Sequence, residues 1–190
     1  MPPPYEILSD DKTGNVKRSV NVRIKDRLSA DDVNAIADEI HGVDENNYER
    51  TFIGLYLPHQ KDLEAGCWAT AHSNPEREIK ILGMTAEIAA EFAASTTADG
   101  QNAIGRWIDD APNVACAILI YESDSNYFMT CTYGDGSSGT NEMNLIQNGD
   151  DREFRRNDKP DSNDYWLVRG NGSLEIRDND GLISTPQNVG

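Results

Sequence analysis

The stretch VACAILIYESDSNYFMTCTY, Val114–Tyr133, decides how this chain is read. Its first half, Val114 to Glu122, is apolar almost throughout, the pattern of a strand buried on both faces. Its second half sets Tyr127, Met129, Cys131 and Tyr133 against Phe128, Thr130 and Thr132, the period of two that a pleated strand imposes. Asp124-Ser125 stands between them as turn chemistry, so the whole reads as a β-hairpin. The signature continues on both sides. Strands are predicted at Ile104–Asp109, Glu142–Gln147, Arg152–Arg156, Tyr165–Arg169, Ser173–Arg177 and Leu182–Ser184, with turns at Asp135-Gly136, Asn148-Gly149, Asn171-Gly172 and Asp180-Gly181. Asn-Gly and Asp-Gly accept the positive φ of two-residue hairpins, so the chain runs up and down between sequence neighbours. Residues 101–190 are expected to form a small antiparallel up-and-down β-barrel, a form that limits exposed strand edges.

Ahead of residue 100 the pattern differs. After a Pro-rich start and the turn-like Ser9–Asn15, Val20, Val22 and Ile24 alternate with polar residues and predict a half-buried strand. Ser29 then caps a helix with Asp31 and Asp32 in its positive first turn; its apolar stripe is Val33, Ile36, Ala37 and Ile40, and Gly42 supplies the stop. Arg50–Leu57, Gly66–His72 and Glu78–Leu82 read as three consecutive antiparallel strands, and Thr85–Ser95 as a second helix. The expected fold class is α+β: residues 1–100 as an antiparallel sheet with two helices on one face, in the order β-α-β-β-β-α, followed by the C-terminal barrel.

The 190 residues carry a formal charge of −16, with 18 acids and 10 bases up to residue 100 and 15 acids and 7 bases after it. An even −8 on each half reads as a solvated surface and opposes direct binding to nucleic acid or anionic lipid; it favours a partner with a basic surface. No apolar run approaches the length of a membrane span. The N-terminus shows neither a basic n-region nor an apolar h-region, so the expected location is cytoplasmic or virion-associated, or exported if a leader has been removed. Three cysteines, Cys67, Cys116 and Cys131, form no CxxC and read as reduced thiols; a bridge between Cys116 and Cys131 requires a register that sets them side by side.

Tyr48–Ile53, Tyr56-Leu57-Pro58, Trp68–Ala71 and Ile79–Gly83 resemble an α+β domain of uncharacterised bacterial and prophage-encoded proteins, over residues 17–85. The resemblance implies prokaryotic or phage origin and carries over no catalytic residue. Gly105-Arg106-Trp107 resembles the Gly-x-Trp that opens lipocalin barrels, which implies a reduced lipocalin-like barrel with Trp107 packed across its end.

No phosphate-cradling glycine loop, nucleophile elbow or metal-ligand spacing occurs, and no cofactor, metal site or catalytic residue is expected. Asp178-Asn179-Asp180-Gly181 has its glycine too early for a calcium loop and reads as a hairpin turn. His41 falls at a helix C-terminus, where a partly cationic ring suits the dipole. Cys67 with His59 or His72 is the one conceivable nucleophilic pair, although 67 and 72 point to opposite strand faces. The candidate partner- or ligand-binding residues are the amphipathic side chains Trp107, Tyr127, Met129, Tyr133, Tyr165 and Trp166 and the basic cluster Arg152, Arg155 and Arg156. The leading expectation is a non-enzymatic binding protein of bacterial or phage origin, acting by protein–protein interaction and including inhibitors of a host protein. The alternatives are a small-molecule carrier, its pocket lined by several of Trp107, Ile118, Tyr127, Met129, Tyr165 and Leu167, and a cysteine-dependent enzyme.

Overall fold

The computed structural model describes residues 1–44, 46–61, 63, 66–95, 97–111 and 115–190. It divides into two compact units, the first built on Met1–Ala86 and the second on Glu87–Asp110 and residues 115–190.

The first unit holds β1 (Tyr5–Thr13), β2 (Lys17–Ile24), α1 (Ala30–Gly42), β3 (Arg50–Tyr56), β4 (Ala69–Ser73) and β5 (Arg77–Ile81), and the strands lie in that order in one sheet. Helix α1 forms where its sequence places it. The Ser29 side chain accepts a hydrogen bond from the Asp32 backbone N–H, and Val33, Ile36, Ala37 and Ile40 are buried. They pack on Val20, Val22 and Ile24 of β2 and Ile53 and Leu55 of β3, with Trp68 sealed beside them by an indole hydrogen bond to the Met84 carbonyl. Each buried Val or Ile contributes about 1.5–3 kcal/mol. The helix closes on Val43 rather than on a glycine cap.

Three features of this unit correct the expected layout. Tyr5–Thr13, read as irregular, is an edge strand, paired with β2 through a hairpin in which Gly14 takes a φ of 51°. Its polar, charged residues show no alternation because much of the strand is exposed, and such charges discourage edge-to-edge association. The sheet is mixed: β2 and β3 run parallel, Val20 opposite Ile53 and Val22 opposite Leu55, because the chain returns through α1 as a crossover. The second helix, α2 (Ala86–Ala94), adds no described residue to this core and lies almost wholly in the second unit.

The second unit is a meander of β6 (Asn102–Asp109), β7 (Cys116–Ser123), β8 (Asn126–Tyr133), β9 (Ser138–Asn148), β10 (Asp151–Arg156), β11 (Tyr165–Val168), β12 (Leu174–Asp178) and β13 (Gly181–Ser184). The last strand, β14 (Gln187–Asn188), returns to pair with β6. Val114, the predicted start of β7, lies outside the described residues. All eight predicted strands are present and every neighbour is antiparallel, but the barrel is not closed. The order β13-β12-β11-β10-β9-β8-β7-β6-β14 is an open sheet curled into a half-barrel, ended by strands of four and two residues. Strands that short supply too few ladder hydrogen bonds to join the edges. The chain is therefore strand-rich, a five-stranded mixed sheet followed by a nine-stranded curled one, and the expected α+β sheet plus closed barrel is overturned.

The curl can be read from one side chain. Trp107 on β6 donates its indole N–H to the carbonyl of Gly172, in the turn between β11 and β12, at 3.0 Å. Around it Ile118, Ile120, Met129, Met143, Phe154, Val168 and Leu174 fill the concave face. Cys116 and Ala117 as well as Ile118 are buried, so β7 is covered on both faces as its apolar run predicts.

Candidate functional site

Period-two alternation sorts the second unit's side chains onto two faces. Phe154 is fully buried on the concave face, so Arg152 and Arg156 flank it there, while Arg155 points the other way. Tyr127, Met129, Cys131 and Tyr133 likewise share the concave face, opposite Glu122, Ile120, Ile118 and Cys116 of β7. That register follows from the two-residue Asp124-Ser125 turn, whose φ values of 50° and 64° mark a type I′ hairpin.

At the hairpin end the core stops short of the rim and leaves a cavity of about 420 Å³, open to solvent. Tyr127, Glu122, Gln147, Asp150 and Arg152 line it, with Ile104 and Leu145 as its apolar floor. Tyr127 is held by an edge-to-face contact with Phe154, centroids 5.8 Å apart. Arg152 is exposed and forms no ion pair among the described residues, although two carboxylates share its cavity. Its neighbours are all occupied. Arg155 meets Glu153 at 2.6 Å and covers the Tyr165 ring at 4.7 Å, while Arg156 binds both oxygens of Asp158 at 3.0 and 2.8 Å. Asp151 of β10, Arg169 just after β11, and Glu175 and Arg177 of β12 form a continuous ladder of pairs.

Of the residues expected to bind a partner or ligand, the structure thus brings Tyr127 and Arg152 together on one cavity wall. Trp107 and Met129 are core, and Trp166 is half-buried against it. Tyr165 lies on the opposite face beneath Arg155, Arg156 is tied to Asp158, and Tyr133 stands 43% exposed at the far end of β8. Glu122, Gln147 and Asp150 are not among the binding candidates that the sequence offers, Asp150 reading there only as a carboxylate that offsets the neighbouring arginines. Glu122 was the accessible one, because a two-residue turn at 124–125 places it directly across from Tyr127.

The remaining candidates have structural explanations. Burial, with the Arg77 and Arg18 guanidiniums nearby, holds the His41 pKa below its ordinary 6.5, so the ring is neutral at pH 7 and shares a hydrogen bond with Ser73 instead of capping α1 as a cation. His72 packs edge-on against Phe52, and burial pushes the Cys67 thiol up, away from thiolate character. Asp178 accepts hydrogen bonds from the Asp180 and Gly181 backbone N–H groups, a hairpin turn. Among the described residues no group of three or more His, Cys, Asp or Glu side chains is arranged to hold a metal, and no helix is long and apolar enough to cross a membrane.

The fold and site define a strand-rich protein of two units with a polar cavity at the end of a half-barrel. No protein-family model, curated protein or solved structure matches the chain.

Proposed function

We propose that this is a non-enzymatic binding protein that engages another protein through the polar end of the half-barrel. The observation that carries the reading is Arg152: an exposed, unpaired guanidinium on the wall of a preformed cavity, beside an aromatic ring fixed by packing. A charge left unpaired while its neighbours are neutralised is available to a carboxylate from outside, and Tyr and Arg side chains on rigid strands are the residue types that dominate binding energy. Glu122 and Asp150 answer basic groups, in keeping with a partner that the −16 chain attracts by charge. The carrier alternative is weaker here. Of its expected lining only Tyr127 faces the cavity, since Trp107, Ile118 and Met129 are packed core and Tyr165 and Leu167 alternate onto the other face.

The test is affinity capture from a bacterial lysate at low salt followed by native mass spectrometry. A captured protein whose affinity falls at least about tenfold in both Arg152→Ala and Tyr127→Ala, and is unaffected by Arg155→Ala, supports the proposal. Capture indifferent to both cavity substitutions removes it, and a small organic molecule bound in the cavity would put the carrier in its place.

A further inference from the structure

Four hairpins of the meander turn on Asp-Gly or Asn-Gly, and they differ in what holds the glycine nitrogen. In Asp135-Gly136 the Gly136 N–H donates to the Tyr133 carbonyl at 3.0 Å, and in Asn171-Gly172 the Gly172 N–H donates to the Arg169 carbonyl at 2.9 Å. In Asp180-Gly181 the Gly181 N–H donates to the Asp178 carboxylate at 2.9 Å. Asn148-Gly149, between β9 and β10, is the exception. Among the described residues the Gly149 N–H has no acceptor, and the exposed Asn148 side chain makes no hydrogen bond.

The two Asn-Gly pairs therefore share a sequence and differ in their ties. Asn171 Oδ1 accepts from the Ser173 backbone N–H at 3.0 Å and from the Ser173 hydroxyl at 2.8 Å. The Gly172 carbonyl accepts from the Trp107 indole and the Asn188 amide, so this turn is clasped to the core. At Gly149, where φ is 64°, nothing lies within 4 Å of the place a Cβ would take, and only its carbonyl is held, by Gln147 Nε2 at 2.6 Å.

We infer that Asn148 is a site of spontaneous deamidation, whose aspartyl and isoaspartyl products arise on the rim of the cavity that Gly149 and Asp150 line. The Gly149 nitrogen gives its proton to a base in solution and attacks Asn148 Cγ. The N–Cγ bond forms, the Cγ–Nδ2 bond breaks, and the side-chain nitrogen takes up a proton and leaves as ammonia. Water then opens the cyclic imide. Addition at Cγ restores the original chain with a carboxylate at position 148. Addition at the main-chain carbonyl carbon leaves the chain running through Cβ and Cγ, one methylene longer at the cavity rim. One water enters, one ammonia leaves, and nothing is oxidised or reduced. Bringing the Gly149 nitrogen to Cγ opens only the last pair of the β9–β10 ladder, Asn148 with Asp151, and ladder ends open at the lowest cost. The same motion at Asn171 would break the Gly172 tie to Arg169 and both bonds from Ser173.

The test incubates the folded full chain in mildly alkaline buffer, cleaves it with trypsin and a glutamate-specific protease, and follows peptides 143–152 and 170–175, which carry Asn148 and Asn171. Peptide 143–152 is expected to gain the mass difference between OH and NH₂, placed by fragment masses on Asn148 and not on Asn144. It should do so in two chromatographic forms and at least about tenfold faster than peptide 170–175, since the attacking nitrogen is free at one site and tied at the other. In urea the two rates should come within about threefold of each other, because both are then unconstrained Asn-Gly pairs. The inference is overturned if Asn171 of the folded chain reacts as fast as Asn148, if Asn148 reacts only after unfolding, or if the difference between the sites persists in urea.

Discussion

Replacing Gly105 by Ala tests what holds the half-barrel in its curl. Gly105 and Trp107 point to the same concave face, and a Cβ at Gly105 would stand 2.5 Å from Trp107 Cζ2 and nearer still to Cη2. Carbon atoms rest at about 3.5–4.0 Å, so the indole must retreat by roughly 1 Å. It has nowhere to go, being fully buried and fixed by its hydrogen bond to Gly172. Overpacking of this kind costs about 1–3 kcal/mol, and stretching the indole hydrogen bond leaves a buried donor short of its partner for about 1–3 kcal/mol more. The expected loss is about 2–5 kcal/mol, which for a unit of this size lowers Tm by at least about 10 °C. Urea unfolding followed by tryptophan fluorescence measures it, and Gly105→Ala in a Trp107→Leu background supplies the control. There the added methyl meets no ring and should cost under about 1 kcal/mol. Equal penalties in the two backgrounds, or a change below about 0.5 kcal/mol in the first, would refute the close approach as the reason for glycine.

In the first unit Arg18, only 4% exposed, binds both Asp10 oxygens at 2.9 Å and the Ile40 carbonyl at 2.8 Å, tying the edge hairpin to the end of α1. Arg18→Met should cost about 2–3 kcal/mol by urea titration, with Arg18→Lys recovering only part because an ammonium cannot bind in bidentate fashion. A Lys variant as stable as the parent would show that charge alone suffices. The Arg18 hydrogen bond holds the Asp10 carboxyl below its ordinary 3.8, so this stabilisation is present above that value and fades as pH falls through the folded pKa. Between roughly pH 5 and roughly pH 3 the parent should therefore lose more stability than Asp10→Asn, and parallel pH curves would contradict the assignment. Ser125→Gly should raise stability by about 0.5–1 kcal/mol, since Ser125 is held at a φ of 64° that glycine adopts without strain; a lowered Tm would mean that the turn carries no such cost.

Some elements were legible because one local cause determines them. The Asp124-Ser125 turn set Asn126–Tyr133 as a strand with its observed bounds, and the cap at Ser29 with its apolar stripe located α1 and all four of its buried residues. The edge strand β1 was not legible. Its exposed residues are held by backbone pairing to β2 and by Arg18, neither of which leaves a period in the sequence. The cavity was half legible: Tyr127 and Arg152 attract notice by residue type, whereas Gln147 and Asp150 join them only because β9 and β10 curl to the same rim.

By itself, then, the sequence determined the local order of this protein: most of its strands though not the edge strands β1 and β14, where α1 begins and ends within a residue, which side chains alternate inward, and that the C-terminal half is a meander. Those features depend on contacts within a few residues, where propensity, capping and turn chemistry act. Tertiary structure alone decided that β2 and β3 run parallel, that nine strands curl without closing, that Arg152 is left unpaired while Arg155 and Arg156 are neutralised, and that Cys116 and Cys131 stand diagonally across β7 and β8 and not side by side. Each of these joins strands through register and curvature, and those are fixed by the packing of the whole sheet around Trp107 and Phe154 and not by any one segment.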